Sequence, residues 1–381
     1  MSGALAAALG GAAGAVAFAG IIIILIRYFL SHNRTIQRSS ESNSSDTSVQ
    51  EEQNVELAMG AGASYVPDSQ RTRIFTLEEL NVATKNFSNV NLIGYGMFGE
   101  VNKGLLEDGM VVAIKRRPSA PSQDFFEEVC YLSSIRHRNL VRLLGYCQEN
   151  DLQMLVYEYV PNGSVSTHLY GAGQMSNGRL EFKHRLSVAH GAAKGMAHLH
   201  SLNPPLVHMN FKTTNVLVDE DFIPKVADAG LRSLLNRING ASPSSRITTD
   251  DLFLDPEVKE TGRFSLKSDV YSFGIFLVEL VSGREAISDQ RLIEWAQNYG
   301  EASDISAIID RRMVSNFTSE GIREFLRLIT WCLNPLSERR PPMNYVEMEL
   351  HRIREKELRM TTVMGEGTTT VTLGSQLFRS S

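Results

Sequence analysis

The balance of hydrophobic and polar positions divides the chain into four stretches. Residues 12–30 form an apolar run in which Arg27 is the only charged side chain. Residues 31–72 are rich in Ser, Asn, Gln and Glu and contain few large apolar side chains. Apolar positions then recur at the spacings of helices and strands from residue 73 to about residue 354. Residues 355–381 are polar again, with many Thr and Ser.

The first apolar run is long enough to span the hydrocarbon core of a bilayer, which is about 30 Å thick. No basic residue precedes it, although a cleaved signal peptide would usually carry one. We therefore interpret residues 12–30 as a retained transmembrane helix that follows a short non-cytosolic N-terminus, residues 1–11. Arg27, Arg34 and Arg38 lie on its C-terminal side, so the positive-inside rule places the rest of the chain in the cytosol.

A dimer through this helix is one further prediction. Gly10 and Gly14 form a G-x-x-x-G pattern, which lets two transmembrane helices approach closely. Small residues are also common in membrane spans for other reasons, so the motif alone leaves the alternative of a single helix open.

The two polar stretches predict segments without a core. Residues 31–72 cannot bury enough apolar surface to offset the entropy of ordering, which indicates a flexible juxtamembrane linker. The same argument predicts that residues 355–381 form a disordered tail rich in Thr and Ser.

Local patterns within residues 73–354 predict particular elements. Thr76 and Glu79 have the spacing of a capping box, which predicts a short helix. Val101–Leu105 and Val111–Lys115 flank the turn signal Glu107–Gly109 and predict a β-hairpin. A long helix is expected from Leu180 to His200.

Composition and charge narrow the class of protein. With 381 residues and 43% apolar content, the chain is large enough for a sizeable core, and one globular domain with tails is the simplest organisation. The net charge of −5 and the pI near 6.0 argue against a general nucleic-acid binder. Cys130, Cys147 and Cys332 show neither metal-ligand spacing nor an even count, which indicates buried thiols in a reducing compartment.

A glycine-rich stretch supplies the first candidate chemistry. Gly94 to Val101 matches G-x-G-x-x-G-x-V, a pattern that by itself also fits a dinucleotide fingerprint or a plain turn. A dinucleotide fingerprint should open a helix, whereas this stretch leads into the predicted hairpin. Glycines there would let the backbone lie close over phosphate groups.

A second stretch carries the clearest family signal. His208 to Asn215 and Asp228 to Gly230 follow the patterns H-R-D-x-K-x-x-N and D-F-G with substitutions, and so resemble the catalytic and metal-binding loops of a protein kinase. Asn139–Cys147 and Leu155–Ser164 resemble plant receptor-like kinases equally closely. The resemblance covers about Phe75 to Ile353 and involves more than ten motifs in the family order.

This resemblance implies an α+β, bilobal protein-kinase fold behind the transmembrane helix. Residues 73–160 would form a β-rich N-lobe with one main helix and the hinge, and residues 161–354 an α-helical C-lobe. ATP would contact Gly94, Gly96, Gly99, Val101, Ala113, Lys115, Glu128, Tyr157, Glu158 and Val160. Asn215 and Asp228 would hold Mg²⁺.

The resemblance also assigns structural partners. Glu128 would hold Lys115 in place, while Glu127 would point about 100° away around the same helix. Asp269 would brace the loop that contains His208. Arg340 would pair with Glu257, the last residue of the Asp-Pro-Glu motif.

Four departures from the family pattern lie along the catalytic path. Asn210 replaces the Asp that accepts a proton, although Lys212 of the same loop is kept. Met209 replaces an Arg that binds a phosphorylated activation loop, and Ala229 replaces the Phe beside the metal-binding Asp. Thr249–Phe253 replaces the run that seats a substrate peptide.

The leading hypothesis is therefore a single-pass, plasma-membrane pseudokinase that binds MgATP and signals through other receptor-like kinases or signalling proteins. The alternatives are a slow but active Ser/Thr kinase and an interaction domain that no longer binds nucleotide. No nucleic-acid partner is expected.

Overall fold

The computed structural model describes residues 72–170, 180–240, 253–286, 290–300, 303–313 and 317–364. The predicted membrane helix at residues 12–30 lies outside these ranges, as do the linker up to residue 71, Thr249 to Leu252 and residues 365–381. Within the described ranges, no helix combines the length and apolar character needed to cross a bilayer.

A six-stranded sheet and two helices form the N-terminal lobe. The strands are β1 (Arg73–Ile74), β2 (Leu92–Tyr95), β3 (Glu100–Leu105), β4 (Val111–Pro118), β5 (Leu143–Glu149) and β6 (Leu152–Glu158), and the helices are α1 (Leu77–Thr84) and α2 (Gln123–Ser134). The sheet order is β1-β5-β6-β4-β3-β2, with only the β1–β5 pair parallel. The predicted hairpin is confirmed as β3 and β4, and Gly109 adopts a φ of +83° in its turn.

The predicted cap of α1 is present in part. Thr76 Oγ1 accepts a hydrogen bond from the Glu79 backbone N–H at 3.1 Å. The Glu79 carboxylate does not return to Thr76, because it forms an ion pair with Arg73 at 2.5 Å. The helix therefore begins where predicted, but it has only one of the two hydrogen bonds of a capping box.

The N-terminal extension builds a second hydrophobic core on the outer face of the sheet. Phe75, Leu80, Ala83 and Phe87 are buried there against side chains of the sheet, namely Leu106, Val112, Ile114, Cys147, Met154 and Val156. At the edge, Arg73 pairs with Gly145. A Cβ on Gly145 would collide with the carbonyl oxygen of Arg73 and the ring of Phe75, so this glycine permits β1 to join the sheet.

Gly145→Ala is expected to lower the free energy of unfolding by about 1 to 3 kcal/mol, the usual cost of overpacking a close contact. Gly300→Ala is the matched control, because a Cβ there meets nothing within 4 Å. Chemical denaturation of both variants checks the difference. Equal stabilities would show that β1 can leave the sheet at no cost.

Helices dominate the C-terminal lobe. They are α3 (Val165–Tyr170), α4 (Phe182–Ser201), α5 (Leu231–Asn239), α6 (Pro256–Thr261), α7 (Leu266–Ser282), α8 (Gln290–Gln297), α9 (Ser319–Cys332) and α10 (Met343–Met364), with one small hairpin of β7 (Val216–Val218) and β8 (Pro224–Val226). Helix α7 is buried along nearly its whole length and forms the centre of the core. The bilobal architecture is as expected, and α4 matches the predicted long helix to within two residues at its start.

The last helix extends beyond the predicted start of the tail. Helix α10 continues to Met364, whereas the tail was expected from residue 355. The reason is Glu357, which is fully buried and accepts hydrogen bonds from the backbone N–H and the hydroxyl of Thr318 at 2.7 and 2.5 Å. Thr318 is the N-cap of α9, so Glu357 of α10 stabilises the start of α9. Burial raises the pKa of the Glu357 carboxyl group.

The cysteines fit the prediction of buried thiols at two of three positions. Burial raises the pKa of Cys147 and of Cys332 to about 12, so neither forms a thiolate at neutral pH. Cys130 differs because it lies half-buried on α2.

Candidate nucleotide site and catalytic loop

The underside of the N-terminal sheet brings four of the predicted nucleotide contacts together. Val101 lies opposite Lys115, and Ala113 lies opposite Tyr157. Directly opposed residues share a face of a sheet, as do residues two apart in one strand. Val101, Ala113, Lys115 and Tyr157 therefore line one surface, which ends at the buried ring of Tyr157, 5.5 Å from Lys115 Nζ.

The glycine-rich turn between β2 and β3 leaves room for phosphate groups. The backbone N–H groups of Gly96 and Gly99 donate to each other's carbonyl oxygens at 2.8 and 3.1 Å. Gly99 has a φ of +140°, and a Cβ there would strike the Arg116 carbonyl oxygen. Added Cβ atoms at Gly94 and Gly96 would instead meet nothing within 4 Å. Open space beside these two glycines suits the close approach of a nucleotide.

The side chain of Glu158, at the predicted hinge, is hydrogen-bonded within the protein. The Glu158 side chain accepts from the Arg142 backbone N–H and from Lys225 Nζ, both at 3.0 Å. Val160 is buried behind it. Because the Glu158 carboxylate is already hydrogen-bonded to other residues of the protein, backbone atoms would have to bind an adenine edge here, as the resemblance implies.

The predicted partner of Lys115 is wrong in this structure. Lys115 Nζ forms an ion pair with Asp228, whose side chain is 8% exposed. Glu128 contacts Arg237 at 3.2 Å instead. The physical reason is helix α5, which begins immediately after Gly230 and carries Arg237 to the surface of α2. Sequence reasoning missed Arg237, although the apolar spacing of Leu231, Leu234 and Leu235 after Gly230 signals a helix there.

The loop from His208 to Asn210 is braced as predicted by Asp269. This buried carboxylate accepts hydrogen bonds from the backbone N–H groups of His208 at 2.7 Å and Met209 at 2.9 Å, and from His200 Nε2 at 2.9 Å. Met209 adopts a φ of +63°, a strained conformation for a residue with a side chain. The hydrogen bonds to Asp269 therefore stabilise a backbone conformation at Met209 that is unfavourable by itself.

His208 is held as a neutral imidazole. Its Nε2–H donates to the Ala227 carbonyl at 2.9 Å, and its Nδ1 accepts from the Asn210 backbone N–H at 3.3 Å. Burial lowers its pKa, and this effect outweighs the attraction of Asp269. The imidazole thus ties the Asn210 loop to the strand end that carries Asp228.

The two candidate metal ligands, Asn215 and Asp228, have the oxygen donors that suit a hard cation. Asn215 Nδ2 donates to the Asn210 carbonyl at 2.9 Å, which fixes the orientation of the Asn215 amide. Ala227 N–H donates to the Asn215 carbonyl at 2.8 Å, placing Asp228 next to it. Among the described residues, no group of three or more His, Cys, Asp or Glu side chains forms a closed metal site. An Asn–Asp pair is consistent with Mg²⁺ that receives its other ligands from phosphates and water.

Lys212, which the family pattern keeps, lies two residues after Asn210, where the family has its proton-accepting Asp. It is half-buried and precedes the short turn Thr213–Asn215. The Thr213 hydroxyl donates to the buried Glu279 carboxylate at 2.7 Å, which anchors the turn to α7. The loop is therefore fully built around Asn210, whose amide oxygen is a poor proton acceptor.

The space that a Phe would occupy at residue 229 is nearly closed. Ala229 lines a cavity of about 20 Å³, room for little more than one water molecule. The other walls are Leu132, Ile135, Leu140, Val141, Leu143 and Tyr157. The side chains around Ala229 therefore leave little open space beside it.

The predicted partner of Arg340 is also wrong. Arg340 is 1% exposed and forms a bidentate pair with Asp255, with Nη2 2.8 Å from Oδ1. Glu257 is exposed. Asp255 is the N-cap of α6 and accepts from the Glu257 backbone N–H at 3.0 Å, so its side chain points inward while Glu257 lies in the first helical turn. The role assigned to Glu257 belongs to Asp255.

The sequence model of the family described as protein tyrosine and serine/threonine kinase matches residues 87–350. The chain belongs to the protein kinase family. The chain is 36% identical over 335 residues to serine/threonine-protein kinase CDG1 of Arabidopsis thaliana, covering 83% of this chain and 76% of CDG1. It is also 36% identical over 320 residues to the proline-rich receptor-like protein kinase PERK2 of the same plant, covering 80% of this chain but 43% of PERK2.

A solved structure extends the relationship to the receptor-like branch. The pseudokinase domain of BIR2, an immune regulator of the RLK/Pelle family, superposes with a TM-score of 0.63 at 30% identity. The match covers 74% of this chain and 86% of that domain. The kinase fold and the membership in the plant receptor-like kinase family are thereby established.

Proposed function

We propose that this kinase is a membrane-anchored, receptor-like pseudokinase of the plasma membrane that binds MgATP and acts mainly as an interaction partner or allosteric regulator of other kinases. The observation that carries the proposal is Asn210 in a fully braced catalytic loop. His208, Asp269 and Asn215 hold the loop in place, while the side chain at the position of the base cannot take a proton.

The missing carboxylate has a large effect on catalysis. A general base contributes typically 100- to 10,000-fold to a rate. Met209 also removes the guanidinium that would bind a phosphorylated activation loop, because a thioether makes no charge-assisted hydrogen bond. Regulation through that phosphate is therefore lost together with proton transfer.

The nucleotide-binding groups are kept. Mg²⁺ would neutralise phosphate charge when bound. In this chain, Lys115 would contact the α- and β-phosphates, and Asn215 and Asp228 would hold the metal. The relative BIR2 is named both a pseudokinase and an immune regulator, which supports a regulatory function without phosphate transfer.

The alternative is a slow Ser/Thr kinase. It is favoured by Lys212, which stays in the loop, and by the reliance of phosphoryl transfer on positioning and charge. In this case Asn210 or a water would orient the attacking hydroxyl.

Two measurements on the full-length chain test the proposal. Millimolar MgATP is expected to raise the melting temperature of the wild type, and neither Lys115→Ala nor wild type in EDTA should show the full shift. No phosphate transfer from radiolabelled ATP is expected above the level of Lys115→Ala. Transfer that Lys115→Ala abolishes would establish the slow kinase instead, and the absence of any thermal shift would remove nucleotide binding from the proposed function.

A further inference from the structure

Helix α10 packs one side on the C-terminal lobe and leaves the opposite side open to solvent. The buried positions recur every three or four residues, namely Val346, Leu350, Ile353 and Glu357. On the opposite side, a second set follows at spacings of four, three and four residues, namely Met348, Arg352, Glu355 and Arg359. With 3.6 residues per turn, these four positions fall within about 60° of one another around the helix. We call them the α10 ridge.

The α10 ridge combines apolar and charged groups. Met348 is 52% exposed, and the side chains of Arg352 and Glu355 are 48% and 39% exposed. Arg359 is exposed as well, and it forms no ion pair within the described ranges. The ridge therefore offers one methionine and three charged side chains to a second molecule.

The order of these residues fits an antiparallel copy of the same helix. In two identical antiparallel helices, residues whose numbers add up to the same total lie at the same height along the axis. Met348 with Arg359 gives the same total as Arg352 with Glu355. A two-fold axis between residues 353 and 354 would therefore bring both pairs face to face, each of them twice. The ridge is complementary to itself in this arrangement.

The facing groups are also chemically matched. Arg352 of each copy would meet Glu355 of the other, so opposite charges alternate around the two-fold axis. At each end, the aliphatic part of Arg359 would cover Met348, since long basic side chains lay their stems along apolar surface. A parallel pair in register would instead set Arg352 against Arg352 and Glu355 against Glu355, which is repulsive. The charge order therefore favours the antiparallel arrangement.

Helix α9 supplies carboxylates that balance the remaining positive charge. The Glu324 carboxylate lies 3.1 Å from the Arg352 guanidinium and 3.1 Å from Lys356 Nζ. Glu320 lies 2.6 Å from Lys356 Nζ. Lys356, which stands beside the ridge, is thus neutralised within its own chain. Two copies can approach without an uncompensated charge at the two-fold axis.

We propose that the α10 ridge joins two copies of this chain through antiparallel α10 helices. The occupant is a second copy because the ridge complements itself under a single two-fold axis. Three of the four ridge residues lie beyond residue 350, where the family match ends. The contact needs no nucleotide and is separate from the dimer predicted for Gly10 and Gly14. Its ion pairs are exposed and individually weak, so the association is reversible.

Cross-linking between two cysteine variants of the full-length chain in mild detergent tests the arrangement. Met348→Cys of one copy and Met360→Cys of the other differ by about 1.5 Å in height, so a short bismaleimide is expected to join them in a mixture. Each variant alone is a control, because two copies of the same residue are about 16 to 20 Å apart along the axis. Wild type measures the background from Cys130, which is half-buried.

Charge reversal in the same cysteine variants identifies the facing residues. Glu355→Arg in both chains, or Arg352→Glu in both, sets like charges face to face and is expected to lower the cross-link yield at least about tenfold. Glu355→Arg in one chain and Arg352→Glu in the other brings opposite charges together at both symmetric contacts, so the yield should recover. Recovery would also show that both variant chains are folded.

Two results would overturn the proposal. One is the absence of a cross-link in the mixture of the two cysteine variants, and the other is an equal yield for every combination of charges. The experiment contains no nucleotide, so either result leaves the proposed MgATP binding and pseudokinase function standing. Failure of MgATP to bind would likewise leave the α10 contact standing.

Discussion

Replacing Arg340 with Met is expected to lower the free energy of unfolding by about 3 to 5 kcal/mol, because it leaves a buried carboxylate without its partner. Asp255 is 2% exposed, so water cannot take over from the guanidinium. Arg340 also donates to the backbone carbonyls of Asn334, Lys267 and Pro335 at 2.7, 3.0 and 3.3 Å. Urea denaturation monitored by circular dichroism measures the change.

Matched variants separate this pair from its neighbours. Arg339→Met and Glu257→Ala alter exposed residues and should each change stability by less than about 0.5 kcal/mol. Asp255→Ala should cost about as much as Arg340→Met, and the double variant less than the sum of the two. A large loss of stability in Glu257→Ala, together with a small loss in Asp255→Ala, would instead show that Arg340 pairs with Glu257.

Asn210→Asp alone is expected to gain far less phosphate transfer than the roughly 100- to 10,000-fold that a general base typically contributes. The carboxylate would be restored in a protein whose Lys115 is bound to Asp228 and whose Glu128 is bound to Arg237. Transfer from radiolabelled ATP to a Ser/Thr-containing protein substrate measures the rate. Lys115→Ala in the Asn210→Asp background is the control for contaminating kinases.

A double variant tests whether the Arg237–Glu128 contact limits phosphate transfer after the carboxylate is restored. Asn210→Asp with Arg237→Ala should transfer phosphate faster than Asn210→Asp, because the second change frees Glu128 for Lys115. A full gain from Asn210→Asp alone would show that Met209, Ala229 and the replaced substrate-seating run have little effect on catalysis.

Local patterns in the sequence predicted the elements that depend on neighbouring residues. The β3–β4 hairpin and helix α4 are of this kind, because turn residues and apolar spacing determine them within a short stretch. The bracing of the catalytic loop was likewise predictable, since Asp269 accepts from the backbone N–H groups of His208 and Met209, as the family pattern implies.

Partners that are distant in sequence were harder to predict. The sequence identified Lys115, Glu128 and Asp228, but the carboxylate that Lys115 contacts depends on where α5 packs. Asp255 and Glu257 are two residues apart, and the start of α6 between them decides which carboxylate is buried. The C-terminal helix was underestimated for a similar reason, because the polar residues after 354 include Glu357, whose partner Thr318 lies on another helix.

The outer core formed by α1 has a practical consequence for the limits of the folding unit. The family match spans residues 87–350, whereas Phe75, Leu80 and Ala83 cover the sheet before it begins, and Glu357 fastens α9 after it ends. A fragment cut at the family limits would expose the apolar side chains of Met154 and Val156 to water and leave Thr318 without its acceptor. The segment that the family model matches is thus shorter than the packed unit, and a fragment for expression is expected to need the residues from Phe75 to Glu357.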